Sequence, residues 1–375
     1  MRSNLEFRMT FKKRFCFTPI LYFLISLLHS NPLWAQADSN KLSQILVFPV
    51  LTKSIETSWS FGAAGSSTFK FSKKDTVSRT SNMQAIMLYS LKKQFITAIN
   101  GTQYFKNEKY ILNEQISYSS FPDKFWGLGK DAPDSAVEDY NFKQYYIYLH
   151  WMRHLGHSIY LGIVYEFQNL LEVDYKAGGI FDQEQIVGRK GYRISGLGLS
   201  LTYDNRNNAF SPDKGTFAQL YFNHFAPVFG SDYLYTNIVV DLRKYFTLNK
   251  KSILALQAYS FSNIGDEVPL RSLATLGGMS SMRGFYDGRY RDRQQLVFQA
   301  ELRHHIHKRF GAVAFGNFGD VGHNMTDFRF NELKYTYGAG LRYAINKSEK
   351  LNLRLDYGIG PGKNRGLYFE LGEAF

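Results

Sequence analysis

The chain has 375 residues, a net charge of +13, 17% aromatic residues, 31 glycines and one cysteine, Cys16. So aromatic and glycine-rich a composition is unlike an ordinary soluble domain, and a lone cysteine excludes an internal disulfide. A basic excess would suit nucleic acid, but the compartment read from the first residues argues against that partner and assigns the charge to rims facing anionic lipid head groups or lipopolysaccharide.

Arg2, Arg8, Lys12, Lys13 and Arg14 stand against the single Glu6, and the apolar run Phe15 to Leu28 follows. That run falls short of the roughly 20 residues a helix needs to cross a bilayer. With the small-residue exit "AQA" at Ala35 to Ala37, it reads as a secretory signal peptide over residues 1–37, cut after Ala37 or, alternatively, after Ala35. Cleavage removes Cys16, so thiol-based metal and nucleophile chemistry leaves with it. Residues 38–53 are expected to form a short periplasmic segment, and 54–375 the main domain.

No later stretch is apolar enough for a membrane helix. The periodicity is that of strands. In "QYYIYLHW", Tyr145, Ile147, Leu149 and Trp151 alternate with Gln144 and His150; in "ISGLGLSLTYD", Leu197, Leu199, Leu201 and Tyr203 alternate with Gly and Ser. In "QLVFQAELRHHI", Leu296, Phe298, Ala300 and Leu302 oppose Gln295, Gln299, Glu301 and Arg303. In "LNLRLDY", Leu351, Leu353, Leu355 and Tyr357 oppose Asn352, Arg354 and Asp356. A polar face of Gly, Ser, Asn, Gln and isolated charges of both signs suits a crowded wet lumen, and Tyr and Trp near strand ends suit interfacial girdles. The fold predicted is all-β: a transmembrane antiparallel β-barrel.

Strands are expected near 57–71, 79–91, 94–106, 109–120, 142–153, 156–170, 191–204, 215–226, 233–246, 250–262, 294–307, 310–320, 334–345, 350–359 and 366–375. A short segment at 45–51 would bring the count to about sixteen, the even number that bacterial barrels favour. Short turns at 105–109, 153–157 and 247–251 belong to the periplasmic side, and long loops at 119–141 and 172–190 to the outer side. The polar loop from about Ser262 to Arg293, containing "GGMSSMRGFYDGRYRDRQQ", is then external, as is the short connection near Leu91.

"LGGMSSMRGF" resembles the signature of the BamA/TamA (bacterial surface antigen) family, whose long outer loop folds back into the lumen. "QAELR", "FGNFGDVG", "YGAGLRY", the terminal "YFELGEAF" and the turn "YDNRNNAFSPDKGTF" resemble further family motifs in the same order. A cation carried into a confined lumen needs carboxylates there. The resemblance thus implies a lumenal clamp in which Arg283 pairs with Glu301, inward by the alternation above, and with Asp320 of "GDVG". Gly284 would permit close approach, and Phe285 would wedge against the wall. The resemblance also implies a C-terminal assembly signal of Phe369, Leu371 and Phe375, read by the barrel-assembly machinery, although Glu373 interrupts its apolar face.

Family members that insert or translocate proteins carry periplasmic POTRA repeats before the barrel. The residues ahead of the first strand have no room for one, and the sequence does not say whether a separate periplasmic partner supplies them. The function implied is assistance to outer-membrane protein insertion or export; the alternative is a passive pore or structural barrel with a plugging loop. No enzyme is expected, because no nucleophile and base pair stands out and no Gly-x-Ser-x-Gly elbow occurs. No cofactor or metal is expected. His305 and His307 share a strand face without a third ligand nearby, and "GIGPGKNRG" reads as a Gly/Pro turn rather than a phosphate loop.

Overall fold

The computed structural model describes residues 43–54, 58–72 and 74–375; the segment read as a signal peptide lies outside the described residues. Sixteen strands form one sheet in which each pairs antiparallel with its neighbour in sequence. They are β1 (Ser43–Ser54), β2 (Ser58–Phe69), β3 (Ser81–Ser90), β4 (Phe95–Phe105), β5 (Tyr110–Phe125), β6 (Glu138–Gly156), β7 (Ile159–Asp174), β8 (Tyr192–Asp204), β9 (Gly215–Phe225), β10 (Tyr235–Asn249) and β11 (Ser252–Ile264), then β14 (Gln294–His307), β15 (Phe310–Gly322), β16 (Lys334–Asn346), β17 (Leu351–Ile359) and β18 (Arg365–Leu371). Between β11 and β14, a two-stranded hairpin, β12 (Ala274–Leu276) and β13 (Tyr290–Asp292), lies inside the long outer loop.

The sheet is a barrel with an apolar outside and a polar inside. On β8, Leu197, Leu199 and Leu201 are 44%, 48% and 52% exposed, whereas Ser200 and Thr202 are buried. An exposed leucine stripe beside buried hydroxyls is the reverse of a soluble sheet and fits lipid on one side with a filled lumen on the other. Where the outward stripe nears the periplasmic turns it becomes aromatic: Trp151 lies between Phe105 and Tyr110, with ring centroids 5.6 and 5.7 Å away.

Three expectations change. Residues 43–54, placed in the short periplasmic segment but with 45–51 also read as the strand that completes sixteen, form that sixteenth strand, paired with β2 from Ser43↔Phe69 to Ser54↔Ser58. Its period of two is hidden because "ILVFPVL" is apolar at both parities. Pro49, which cannot donate to a ladder, is tolerated because β1 is an edge strand. β5 and β6 also outrun their predicted ends, pairing as far as Phe125↔Glu138. Phe125, Tyr140, Phe142 and Phe181 form a buried cluster there, which holds the ladder together beyond the expected loop start. The β12–β13 hairpin was not expected, since three-residue strands carry no readable alternation.

The two edge strands, β1 and β18, run side by side with Cα atoms within 8 Å, yet no ladder joins them among the described residues. This β1–β18 contact, where the first and last strands of the sheet meet, is the seam of the barrel. If the leucine stripe faces lipid, Leu199→Arg in the middle of β8 is expected to cost about 2–4 kcal/mol. A lowered urea midpoint for the protein folded in liposomes would register it; an unchanged midpoint would place that face elsewhere.

Candidate functional site

The outer loop between β11 and β14 enters the lumen because both of its flanks are tied to the wall. Asp123, on the outer part of β5, accepts hydrogen bonds from the hydroxyls of Tyr140 (3.0 Å) and Tyr286 (2.9 Å). It also accepts from the guanidinium groups of Arg271 (3.2 Å) and Arg291 (3.3 Å). Three of these four donors come from the loop, so one buried carboxylate anchors it to the β5 side. Arg289 adds a contact to Asp134 at 2.6 Å and to the carbonyl of Ala132 at 2.7 Å.

The tip reaches the opposite wall. Arg283 is fully buried and its guanidinium bridges two strands: Nη2 donates to Glu301 Oε1 of β14, and Nη1 to Asp356 Oδ2 of β17, both at 2.5 Å. A planar fork with donors on both arms can hold two carboxylates at once, which a lysine ammonium does less selectively. The guanidinium carbon also lies 3.7 Å from the centroid of Phe315, a close cation–π contact.

The backbone must approach the wall for this to happen. Gly284 has φ +122°, and a Cβ there would sit 3.0 Å from the carbonyl carbon of Ile359. Facing it, a Cβ on Gly358 would sit 2.5 Å from the carbonyl oxygen of Arg283. Tyr368 of β18 closes the contact: its hydroxyl accepts from the Gly284 N–H (2.9 Å) and donates to the Phe285 carbonyl (3.1 Å). Phe285 packs with Leu276, Met282, Val297 and Val321 in a small apolar cluster.

The arrangement brings together Arg283, Gly284, Phe285 and Glu301 as expected, but not Asp320. Val313, Phe315, Asn317, Gly319 and Val321 are buried on the inward parity of β15, so Asp320 is out of phase with them. It lies at the outer end of the strand, 3.0 Å from Lys334 Nζ. The second partner of Arg283 is Asp356, inward in "LNLRLDY" by the same alternation that placed Glu301.

Sequence reasoning also missed the rest of the network. Arg303 Nε donates to Glu301 Oε2 at 2.8 Å, and Arg342 joins Asp356 (2.5 Å) to Glu373 (2.7 Å). Arg354 lies 3.3 Å from Asp356 and 3.9 Å from Glu370. Four arginines thus face four carboxylates on the inner side of β14 to β18 and the segment after it. Glu373, which interrupts the apolar C-terminal pattern, is a member: it also accepts from Asn352 at 2.7 Å. Phe375 leaves the face shared by Phe369 and Leu371, because β18 ends at Leu371 and Gly372 turns the chain at φ +94°. Phe375 then packs with Tyr245 and Ala255 on the inner wall, and its main-chain oxygen accepts from Arg303 at 2.9 Å.

A second ionic cluster lies at the periplasmic mouth. At the end of β8, where its turn begins, Asp204 accepts from Arg206 (2.8 Å) and from Arg79 of the β2–β3 turn (2.6 Å), which also reaches Glu108 (3.0 Å). Lys350 pairs with Asp213 of the same turn. Asp75, on the β2–β3 turn, is held below the usual carboxylate range: burial raises it, but the hydrogen bonds from Ser78, Asn107 and Val77 together outweigh that. Of the histidines, His304 bonds Ser252 Oγ at 2.9 Å and His305 faces the Lys308 carbonyl at 3.3 Å.

Removing Arg283 leaves two buried carboxylates short of a cation. Arg283→Ala is expected to destabilise the loop-docked state by about 3–5 kcal/mol, seen as new trypsin cleavage within residues 277–293 of the folded barrel. Asp356→Asn should weaken the same protection, whereas Asp320→Asn should leave it unchanged; the opposite order would overturn the assignment of Asp356.

The fold has counterparts among known proteins. The Omp85 superfamily domain matches residues 53–375. Solved structures with a similar fold include BamA from Haemophilus ducreyi lacking POTRA domains 1–3, with 16% identity, 88% of this chain and 70% of that chain covered, and a TM-score of 0.54. CdiB from Acinetobacter baumannii is similar over 88% of this chain at 12% identity and TM-score 0.56, and the chain spans 59% of its length. CdiB from Escherichia coli is similar at 11% identity over 88% of this chain and 67% of that one, with TM-score 0.56. No curated protein sequence matches the chain. With its sixteen-stranded sheet, inward-folded loop and a family match over residues 53–375, this chain belongs to the Omp85 superfamily of outer-membrane β-barrel proteins.

Proposed function

We propose that this barrel assists the insertion or export of other outer-membrane proteins, working through the β1–β18 seam and a lumenal loop whose docking can be undone. The observation that carries the reading is the position of the clamp. Arg283 is bonded to β14 and β17, and Tyr368 of β18 holds the adjacent backbone, so the loop tip braces the strands leading up to the seam. Ion pairs in a wet lumen can exchange partners, and three further arginines stand beside the same carboxylates. The seam supplies an edge that a strand of another protein could meet by hydrogen bonding.

In this reading the outward stripe contacts outer-membrane lipid and lipopolysaccharide. Phe369, Leu371 and Phe375 serve recognition by the barrel-assembly machinery during the protein's own biogenesis, and a separate periplasmic partner delivers clients. No catalysis is part of it. The second reading, a passive barrel with a permanent plug, is favoured by the anchoring of the loop at both Asp123 and Glu301, on opposite sides of the lumen.

The two readings separate in liposomes. With the barrel reconstituted, a urea-unfolded eight-stranded outer-membrane barrel is expected to insert faster than into empty liposomes. Arg283→Ala should abolish that acceleration while the variant still shows the heat-dependent gel shift of a folded barrel. No acceleration by the wild type, together with larger single-channel conductance in Arg283→Ala, would support the plug.

A further inference from the structure

The inner wall of β1 to β4 departs from the polar chemistry of the lumen. On β3, Met83, Met87 and Tyr89 are 39%, 55% and 45% exposed on the outward face, so Ile86 and Leu88 belong to the inward one. Strand register joins them to further apolar positions: Leu88 pairs with Gly62 and Ile96, and Ile86 with Ala64 and Ala98. Val50 of β1 lies opposite Gly62. Together they make a continuous apolar patch across four strands, and its side chains are half-buried rather than packed away. On the next strand the partners of Ala98 and Ile96 are Ser117 and Ser119, so the patch stops at β5.

This patch borders a lumenal cavity of about 730 Å³, a volume usual for small-molecule sites. Val50 of β1 and Phe369 and Leu371 of β18 also line it, so its apolar side adjoins the seam. One step toward the periplasm on the same wall, register sets Gln84, Asn100 and Gln115 side by side, and all three line the same cavity. Asn100 and Gln115 are exposed to the lumen. No hydrogen bond joins the three side-chain amides to the protein among the described residues.

The lining therefore has an apolar part and, directly beside it, an uncharged polar part. An amide both donates and accepts, as a hydroxyl does, so a row of amides suits a group bearing several hydroxyls. The charged residues around the cavity are Asp123, Glu166, Asp287 and Glu370 against Arg271, which is itself 3.2 Å from Asp123. A fatty-acid carboxylate or a lipid phosphate would meet that negative excess. An ammonium next to the patch would meet serines and amides, with no carboxylate among the side chains that flank the patch in register.

We infer that this cavity binds a neutral glycolipid with a single alkyl chain, drawn from the membrane at the seam. The chain lies along Val50, Ile86, Leu88 and Ile96, where its methylenes leave water. The sugar hydroxyls meet Gln84, Asn100 and Gln115, which fix the orientation without contributing charge. The site stands whether or not the barrel assists other proteins.

The test is isothermal titration of n-octyl-β-D-glucoside, kept below its micellar concentration, into the folded protein held in amphipol. Methyl-β-D-glucoside, octanoate and octyltrimethylammonium are the comparison solutes. Saturable binding of octyl glucoside is expected, with none of methyl glucoside and with both ions weaker by about tenfold or more. Leu88→Asn, which sets an amide inside the patch, should weaken octyl glucoside binding by about tenfold, and Gln115→Leu by a smaller factor. If Leu88→Asn fails to show the gel shift of a folded barrel, Ala98→Phe, which fills the cavity beside the same patch, carries the test. Absence of saturable binding to the wild type overturns the inference. So does unchanged binding by the folded patch variant, since partition into the amphipol belt would then account for the signal. Methyl glucoside binding equally well would remove the alkyl wall from the site, and either ion binding as tightly would overturn the neutral head group.

Discussion

The bridge from Arg283 to Glu301 and Asp356 is the constraint to which the rest of the interior is fitted. A guanidinium taken out of bulk water needs its charge balanced and its donors met, and removing either partner strands a buried charge. The network around the bridge comes close to that balance, with Arg283, Arg303, Arg342 and Arg354 against Glu301, Asp356, Glu370 and Glu373. Because the carboxylates belong to β14, β17 and the segment at and beyond β18, the loop tip has one place to settle. Gly284 and Gly358 are what allow two backbones to meet there.

The other anchors follow the same logic on the facing wall. Asp123 gathers two arginines and two tyrosine hydroxyls, so the loop is tied on both sides of the lumen. At the periplasmic mouth, Asp204 and Asp213 draw the turns after β2, β8 and β16 together. Apolar packing inside the barrel is confined to patches, of which the cluster around Phe125, Tyr140 and Phe181 is the chief one near the outer end. An interior held mainly by ion pairs can be rearranged by exchanging partners, whereas a close-packed apolar core resists any change in shape. The unladdered seam beside this network is where such a rearrangement would have the greatest effect.

The strands, their faces and their positions along the chain were legible because the lipid and lumen environments impose opposite chemistry on alternate residues; only the first, expected as a short segment at 45–51, lacked that alternation. Arg354 and Asp356 could be placed inside from "LNLRLDY", just as Glu301 could from "QLVFQAELRHHI". Asp320 was misplaced because a motif resemblance was allowed to override its parity within β15. Glu373 looked like a flaw in a terminal signal until the turn at Gly372 carried it into the lumen, where Arg342 and Asn352 hold it.

The sequence by itself determined the fold class, the strand order and which side chains look inward, since each depends on neighbours one or two residues away and on a period of two. That the arginine-bearing loop meets carboxylates in the lumen was implied by the family resemblance, not by the periodicity. Only the tertiary structure decided which carboxylates those were, that β1 and β18 meet without a ladder, and that Ile86, Leu88 and Ile96 share a cavity with Phe369 and Leu371 beside the seam. Those pairings join residues far apart in the chain, brought together by the curvature and closure of the sheet, and no local pattern of residues encodes them.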